Sequence, residues 1–250
     1  MVKSITILKS NISYISINSG LEEVIKCLKC GGKKYKIFTP NPEILTLAFK
    51  NPSFMHVLNS ADLALPDGSG LIFAGKILGT PFIERVSGVD FMEKLCEISA
   101  KNGFTIGLIG GRQGVADKSS ECLQKKYKNL KIVLSESWDP PKASYQLKKW
   151  KTHIDILFVA YGQEKQEQWI YDNIQSIPVT VAMGVGGALD YLSGTIPRAP
   201  KIMQDHGLEW LFRLYRQPWR IKRQIIGGQF FLLVLAEWIQ RRIKNTNINN

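Results

Sequence analysis

The stretch DILFVAYG, residues 155–162, decides the fold because it is a nearly continuous apolar run that ends in a glycine. FTIGLIGG (residues 104–111) and VTVAMGVGG (residues 179–187) repeat this pattern, with helical stretches at 114–127 and 163–175 between them. Such runs are typical of parallel strands that helices cover on both faces of a sheet. We therefore expect an α/β fold with a Rossmann-like parallel sheet.

Turn and cap signals predict the elements that precede this core. Residues 2–17 alternate in polarity as the strands of a hairpin do. Ser19, followed three residues later by Glu22, has the spacing of a capping box and predicts a helix start. Asn41 and Asn51 each precede a proline, which predicts two further helices with asparagine caps. Further strands are predicted at YKIFTP, LALP and KIVLSES.

The composition bounds the class of protein. The chain has 250 residues, of which 44% are hydrophobic and 10% aromatic, and this excludes a disordered chain. Its formal net charge of +12 favours an anionic partner. The N-terminal MVKSITILKS has no long apolar region, so we expect no signal peptide and a cytoplasmic protein. The longest apolar block, IIGGQFFLLVLA at 225–236, is too short to cross a bilayer.

The C-terminal residues differ in composition from the rest of the chain. Residues 208–250 hold eight basic and two acidic residues, which is half of the net charge, and three of the six tryptophans. Basic and aromatic residues at helical spacing are typical of helices that lie on an anionic membrane surface. We expect a catalytic domain at 1–200 and a basic, amphipathic helical appendage at 201–250. Packing of an ordinary amphipathic helix on the core, and a contact within a homo-oligomer, are the alternatives.

Asp67 is the candidate catalytic residue. It stands in ADLALPDGSG, residues 61–70, where an apolar strand ends at Pro66 and a turn of small residues begins. Proline, aspartate and glycine form turns for local reasons, and a plain turn is one interpretation. Ligands of open parallel sheets, however, bind beyond the carboxyl ends of the strands, and this places Asp67 on a ligand-binding edge.

Glycine-rich loops follow several of the predicted strands and are candidates to contact a nucleotide or a phosphate. The residues are Gly110, Gly111, Gly162, Gly186 and Gly187. Tight packing of strand on helix is the alternative for GLIGG. No D-x-D is present, and His56, His153 and His206 lack the spacing of metal ligands. We therefore expect neither a bound metal nor a cofactor, and cationic side chains to stabilise a leaving group.

Six blocks of the sequence, in order, resemble the WecG/TagA/CpsF glycosyltransferases over roughly residues 35–225. The blocks are TPNPEIL, LPDGSGLIFAGKILGTPFIERVSG, GLIGG, YGQEKQE, GVGGALDYLSGTIPRAP and GLEWLFRLYRQPWR. One departure is Glu164, which stands where the family usually has a proline.

The resemblance implies a metal-independent, inverting transfer of a sugar from a UDP-sugar to an undecaprenyl-diphosphate-linked sugar acceptor at the inner face of the plasma membrane. N-acetylmannosamine is the expected sugar, and glucose, glucuronate and N-acetylmannosaminuronate are alternatives. Asp67 is implied as the base that takes the proton of the acceptor hydroxyl. The implied pocket residues are Thr39, Asn41 and Gln166, and the implied cations are Arg85, Arg213, Arg216 and Arg220.

Two other classes of function stay open from the residues alone. The positive charge suits a nucleic-acid-binding protein on a Rossmann-like scaffold, although the ordered blocks predict no nucleic acid partner. GLIGG by itself suits an enzyme that uses a nicotinamide or S-adenosylmethionine.

Overall fold

A six-stranded parallel sheet forms the centre of the protein, in a computed structural model that describes residues 2–248. The sheet strands are β3 (Tyr35–Phe38), β4 (Leu63–Ala64), β5 (Thr105–Gly110), β6 (Lys131–Glu136), β7 (Ile154–Ala160) and β8 (Val179–Gly184). Their order is β4-β3-β8-β7-β5-β6, and every neighbouring pair is parallel. The carboxyl ends of all six strands therefore meet at one edge. The predicted α/β fold is confirmed.

An antiparallel hairpin and a series of helices surround the sheet. The hairpin is β1 (Ser4–Ile7) and β2 (Ser10–Ser13), as the alternating residues predict. The helices before the tail are α1 (Ile17–Cys30), α2 (Pro42–Lys50), α3 (Pro52–Asn59), α4 (Ser69–Ile77), α5 (Gly88–Asn102), α6 (Val115–Lys126), α7 (Pro140–Lys149), α8 (Lys165–Asn173) and α9 (Ala188–Leu192). Those of the tail are α10 (Lys201–Asp205), α11 (Glu209–Arg216) and α12 (Ile221–Ile248). Single 3₁₀ turns lie at Ile174–Ser176 and Pro218–Arg220.

The two faces of the sheet have separate apolar cores. In β7, Leu157 and Val159 belong to one core while Ile156 and Phe158 belong to the other, and all four are fully buried. Successive side chains of a strand point to opposite faces, so a strand that is buried on both faces must be apolar throughout. This explains why β7 reads as an uninterrupted apolar run.

The predicted caps begin two helices as the sequence indicates, and a third helix begins elsewhere. The Asn41 side chain accepts a hydrogen bond from the Ile44 N–H at 3.0 Å, and Asn51 caps α3 in the same way. The prediction that Ser19 opens the first helix is wrong. Ser16 is the cap of α1, and its hydroxyl accepts the backbone N–H of Ser19 at 3.2 Å.

The long helix α12 packs on the α/β core through one of its faces. Phe230 and Val234, four residues apart and so on the same side of the helix, are 0% and 1% exposed. Burying one such side chain stabilises a protein by about 1.5–3 kcal/mol. The helix is also tied at two points: Arg223 pairs with Glu43 of α2 at 2.9 Å, and Glu237 accepts the Leu8 N–H at 2.9 Å.

The opposite face of α12 exposes large apolar side chains at a spacing of seven residues. Ile225 is 59% exposed, Leu232 69% and Ile239 45%. Within the described part of the chain, no helix combines the length and the apolar character that crossing a bilayer requires. The division at residue 200 stays a prediction, since α12 shares buried residues with the preceding core.

Candidate active site

A cavity of about 560 Å³ opens at the edge where the parallel strands end. Loops after the strands form its lining, together with side chains from the tail. The lining includes Thr39, Asn41, Asp67, Gly111, Arg112, Trp138, Tyr161, Gly162, Gln166, Gly186, Gly187, Arg213, Trp219, Arg220 and Arg223. We refer to this space as the first cavity.

A second cavity of about 750 Å³ adjoins the first, between the Asp67 loop, α4 and the tail. Its lining includes Gly70, Phe73, Arg85, Tyr191, Trp210, Gly227, Gly228 and Phe231. Seven residues line both cavities: Asn41, Asp67, Val89, Gln163, Arg213, Arg220 and Arg223. A carboxylate and a group of guanidinium groups therefore lie at the junction of two spaces.

Asp67 is held at this junction by the backbone around it. Its N–H donates to the Pro40 carbonyl at 3.0 Å, and its Oδ2 accepts the Gly88 N–H at 3.3 Å. Burial raises the pKa of Asp67 to about 6, against the opposing effects of the Gly88 N–H and the Arg85 charge. A carboxylate with such a pKa is ionised at neutral pH and is a stronger base than an ordinary aspartate.

Thr39 and Asn41 lie beside this carboxylate after β3. Thr39 is 8% exposed, and a Cβ on the neighbouring Gly88 would stand 3.1 Å from its Cγ2. The glycine therefore lets the start of α5 approach β3 closely. Asn41 lines both cavities while its Oδ1 caps α2, so the cap fixes the orientation of the amide.

Gln166 is fixed by two hydrogen bonds at the start of α8. Its Oε1 accepts the Gly186 N–H at 2.9 Å, and its Nε2 donates to Glu167 Oε1 at 2.8 Å. Glu167 is 0% exposed, and its Oε2 has no hydrogen-bond partner among residues 2–248. Burial raises the pKa of Glu167 to about 7, although the Gln166 amide opposes this. A Cβ on Gly184 would stand 3.0–3.2 Å from the Gln166 side chain, which therefore lies directly on that strand.

Of the predicted glycines, four line the first cavity. Gly111, Gly162 and Gly186 have φ values of +77°, +83° and +52°, which favour glycine. Gly187 lies against Arg213, because a Cβ there would stand 2.0 Å from a guanidinium nitrogen. Gly110 packs differently: a Cβ would stand 2.9 Å from the Tyr161 ring.

Three arginines of the tail converge at the junction. Arg213 pairs with Asp190 at 3.3 Å and lies 4.7 Å over the Tyr191 ring. Burial, Arg213 and Arg223 together lower the pKa of Arg220 to about 10, so its positive charge lies in a region of excess positive potential. Its Nε donates to Gln217. Such a region suits an anionic ligand.

The remaining predicted residues are divided between the site and the surface. Arg85 lines the second cavity only. The lining of the two cavities, as far as residues 2–248 define it, includes neither Gly110 nor Arg216. Arg216 is exposed and stacks on Phe212 at 5.6 Å. No group of three or more His, Cys, Asp and Glu side chains in the described chain is placed to hold a metal ion.

Comparison with known proteins identifies the family of the chain. The model of the "Glycosyl transferase WecG/TagA/CpsF family" matches residues 5–244. The chain belongs to this glycosyltransferase family. It is 32% identical over 232 residues, covering 91% of this chain and 90% of the other, to a Bacillus subtilis (strain 168) protein named N-acetylglucosaminyldiphosphoundecaprenol N-acetyl-beta-D-mannosaminyltransferase. A Staphylococcus aureus (strain MW2) protein of the same name is 30% identical over 209 residues, with 83% and 82% covered.

Glu164 stands where the sequence resemblance to the family predicts a proline. The residue has φ +64° and ψ −51°, close to the rare and strained γ-turn. A proline, with φ fixed near −65°, does not adopt this conformation. The loop between β7 and α8 therefore has a backbone conformation at Glu164 that a proline could not adopt.

Several residues that line the site were not assigned from the sequence. They are Arg112, Trp138, Tyr161 and Arg223, which line the first cavity, and Glu167, which orients Gln166. Tyr161 is the first residue after β7 and Trp138 the second after β6, and this position at the ends of the strands was the available signal. For Glu167, the only signal in the sequence was its position in the block YGQEKQE.

Proposed function

We propose that this glycosyltransferase moves N-acetylmannosamine from UDP to an undecaprenyl-diphosphate-linked sugar acceptor, with inversion at the anomeric carbon and without a metal. Its product is a precursor of teichoic acid or of a related cell-wall polysaccharide. The observation that carries the proposal is the position of Asp67, which lines two adjoining cavities. Two cavities that meet at one base suit a donor and an acceptor that must react with each other.

The first cavity suits the nucleotide of the donor. Trp138, Tyr161 and Trp219 offer aromatic faces on which a uracil can stack. Gly186 lets the backbone come close to the sugar, and Gly187 leaves room for Arg213. The names of the relatives support N-acetylmannosamine as the donor sugar. At about 30% identity, UDP-glucose, UDP-glucuronate and UDP-N-acetylmannosaminuronate are the alternatives that a donor panel distinguishes.

The chemistry follows from the base and the cations at the junction. Asp67 takes the proton from the acceptor hydroxyl while the hydroxyl oxygen forms a bond to the anomeric carbon. The bond from that carbon to the β-phosphate oxygen breaks, and UDP leaves with the electron pair. Arg213, which lies against Gly187 in the first cavity, stabilises the negative charge of the departing diphosphate. Gln166, fixed by Glu167 and Gly186, orients the donor.

The exposed face of the tail suits a membrane surface, and we propose that the protein attaches peripherally to the inner face of the plasma membrane. Ile225, Leu232 and Ile239 are large and exposed on one face of α12. The tail is also rich in basic residues, and each one that lies near an anionic bilayer contributes about 1 kcal/mol. Attachment would bring the two cavities close to a lipid-bound acceptor.

Release of UDP tests the reaction. Purified protein, in the presence of EDTA, should release UDP from UDP-N-acetylmannosamine only when a prenyl-diphosphate-linked N-acetylglucosamine is supplied. Asp67→Asn should reduce turnover by at least roughly 10²-fold, since general bases typically contribute about 10²–10⁴-fold. Asp205→Asn, at an exposed carboxylate of α10, is the matched control and should retain the wild-type rate. Full activity in Asp67→Asn contradicts the mechanism.

Vesicle sedimentation tests the attachment. Because Phe230 and Val234 belong to the core, a truncation near residue 200 would also remove core packing. Leu232→Glu places a charge on the exposed face instead and should reduce binding to anionic vesicles. Tyr145→Glu, at a similarly exposed apolar residue of α7, should bind as the wild type does. Equal binding of both variants excludes this face as the membrane contact.

A further inference from the structure

Two adjacent glycines, Gly227 and Gly228, lie in the interior of α12. Glycine is among the least favourable residues inside a helix. Neither glycine has a positive φ in the part of the chain that the structure describes, and a Cβ on either would meet no atom within 4 Å. The backbone conformation and the packing therefore do not require glycine at these positions.

The space beside these glycines belongs to the second cavity. Gly70 and Phe231 form a neighbouring part of the wall, where a Cβ on Gly70 would stand 3.1 Å from the Phe231 ring. Phe231 in turn packs on Phe73 with ring centroids 6.3 Å apart. This end of the cavity is apolar and open, since Phe231 is 44% exposed and Phe73 53%.

The residues that line the cavity from α12 form one stripe along the helix. Arg223, Gly227 and Phe231 are four residues apart and therefore lie on the same face. Along roughly 12 Å of helix, the stripe presents the guanidinium of Arg223, then the space beside Gly227, and then the ring of Phe231. Arg220 lies just before this stripe in the sequence and lines the same end of the cavity as Asp67. Arg213 and Arg223 add further positive charge around Arg220. A charged end and an apolar end match an amphiphile with an anionic head.

We propose that Gly227 and Gly228 form a subsite for the first isoprenoid units of the acceptor lipid, next to the diphosphate held by Arg220 and Arg223. The proposal rests on the proposed function for its occupant. A polyprenyl chain carries a methyl branch on every unit and is wider than a linear chain. Two neighbouring residues without Cβ atoms supply that width, and the open apolar end lets a longer chain leave the cavity.

Binding of soluble probes tests the subsite without catalysis. The full chain is titrated with farnesyl diphosphate and with inorganic pyrophosphate, and thermal stability is followed. The wild type should bind farnesyl diphosphate roughly tenfold or more tightly than pyrophosphate, as burial of a few methylene groups implies. Gly227→Leu fills the gap and should abolish this preference, with Gly227→Ala intermediate. Both variants raise helix propensity, so the helix should remain folded.

Ala236→Leu adds a similar side chain to an exposed position of the same helix and is the matched control. It should keep the preference for farnesyl diphosphate. Equal binding of the two probes by the wild type, or an unchanged preference in Gly227→Leu, overturns the subsite. Equal stabilisation by dodecyl diphosphate, a linear chain, overturns the assignment to an isoprenoid.

Transfer assays connect the subsite with the reaction. The ratio of kcat/KM for a farnesyl-diphosphate-linked acceptor to that for its methyl-diphosphate analogue should fall about tenfold in Gly227→Leu and stay constant in Ala236→Leu. If the wild type transfers sugar to neither acceptor although farnesyl diphosphate binds as expected, the proposed function fails while the subsite stands. If transfer occurs and the ratio does not change, the subsite alone fails.

Discussion

Replacing Asp67 by asparagine should remove activity and, at neutral pH, make the protein more stable. Burial raises the pKa of this carboxyl from 3.8 to about 6, so the folded state disfavours the ionised form. A difference of about 2 pKa units corresponds to about 3 kcal/mol of stability, at about 1.36 kcal/mol per unit. Water in the cavities offsets part of this cost, and the figure is therefore an upper bound.

Because the pKa of Asp67 is raised in the folded state, the stability of the wild type falls as the pH rises. Below the unfolded-state pKa of 3.8, Asp67 is protonated in both states and its burial carries no ionic cost. As the pH rises towards about 6, the unfolded state releases its proton first, and the folded protein loses relative stability. Above about pH 6 the full cost is present. The Asp67→Asn variant lacks this cost because asparagine does not ionise.

Thermal unfolding of the two proteins between pH 4 and 8 measures the difference. Asp67→Asn should melt at a higher temperature at pH 8, by up to roughly 6–12 °C for a chain of this size, and the difference should vanish towards pH 4. Asp205→Asn, at an exposed carboxylate, should melt within a degree or two of the wild type throughout. A variant that is no more stable than the wild type at pH 8 refutes the raised pKa of the Asp67 carboxyl.

Three further predictions concern the site and the tail. The logarithm of kcat/KM should rise with unit slope below about pH 6 and level off above it, and Arg85→Ala should move the midpoint upward because Arg85 lowers the pKa of Asp67. Glu164→Gly should raise the free energy of unfolding by about 1 kcal/mol, since glycine adopts a positive φ without strain, whereas Glu164→Pro should lower it. Phe230→Ala should cost about 3–5 kcal/mol in urea unfolding because the ring is fully buried.

Each of these predictions has a result that would contradict it. A pH–rate profile that is flat between pH 5 and 7 excludes a base with the pKa of Asp67. Equal stability of Glu164→Gly and Glu164→Pro excludes the strained loop. Leu232→Ala is the control for Phe230, and an equal cost of the two substitutions contradicts the docking of α12, because Leu232 is 69% exposed.

The sheet could be predicted from the sequence because its central strands β5, β7 and β8 are buried on both faces, and almost all of their residues must therefore be apolar. The position of the candidate site could be predicted as well, because the carboxyl ends of parallel strands meet at one edge of the sheet and ligands bind there. The strand order needed the structure, because the pairing of β3 with β8 joins segments far apart in the sequence. No local pattern specifies such a pairing.

Local signals failed where tertiary contacts decide the outcome. Gly68, Ser69 and Gly70 have poor helix propensity and indicate only a turn, yet α4 begins at Ser69 because Leu71 and Ala74 are fully buried. Ser16 and Ser19 are equally good caps in isolation, and the structure uses the first. Propensity is a weak prior that packing overrides.

The tail was ambiguous for a different reason. Its composition indicated an amphipathic helix on a membrane or on the core, and α12 has apolar residues on both sides. Phe230 is buried while Leu232 is exposed, although the two are neighbours in the same apolar block. The face of α12 that is buried is the one that packs against α2. The pattern of apolar residues in the tail does not predict that contact.

The hydrogen bond from Leu8 to Glu237 joins two positions 229 residues apart in the sequence. The hairpin is therefore synthesised well before the helix that supplies its acceptor, and Asp67 is synthesised well before the arginines at the junction of the cavities. Contacts of this kind form only after the later residue has been made. A folding intermediate of the nascent chain that contains the sheet therefore still lacks the cationic side of both cavities.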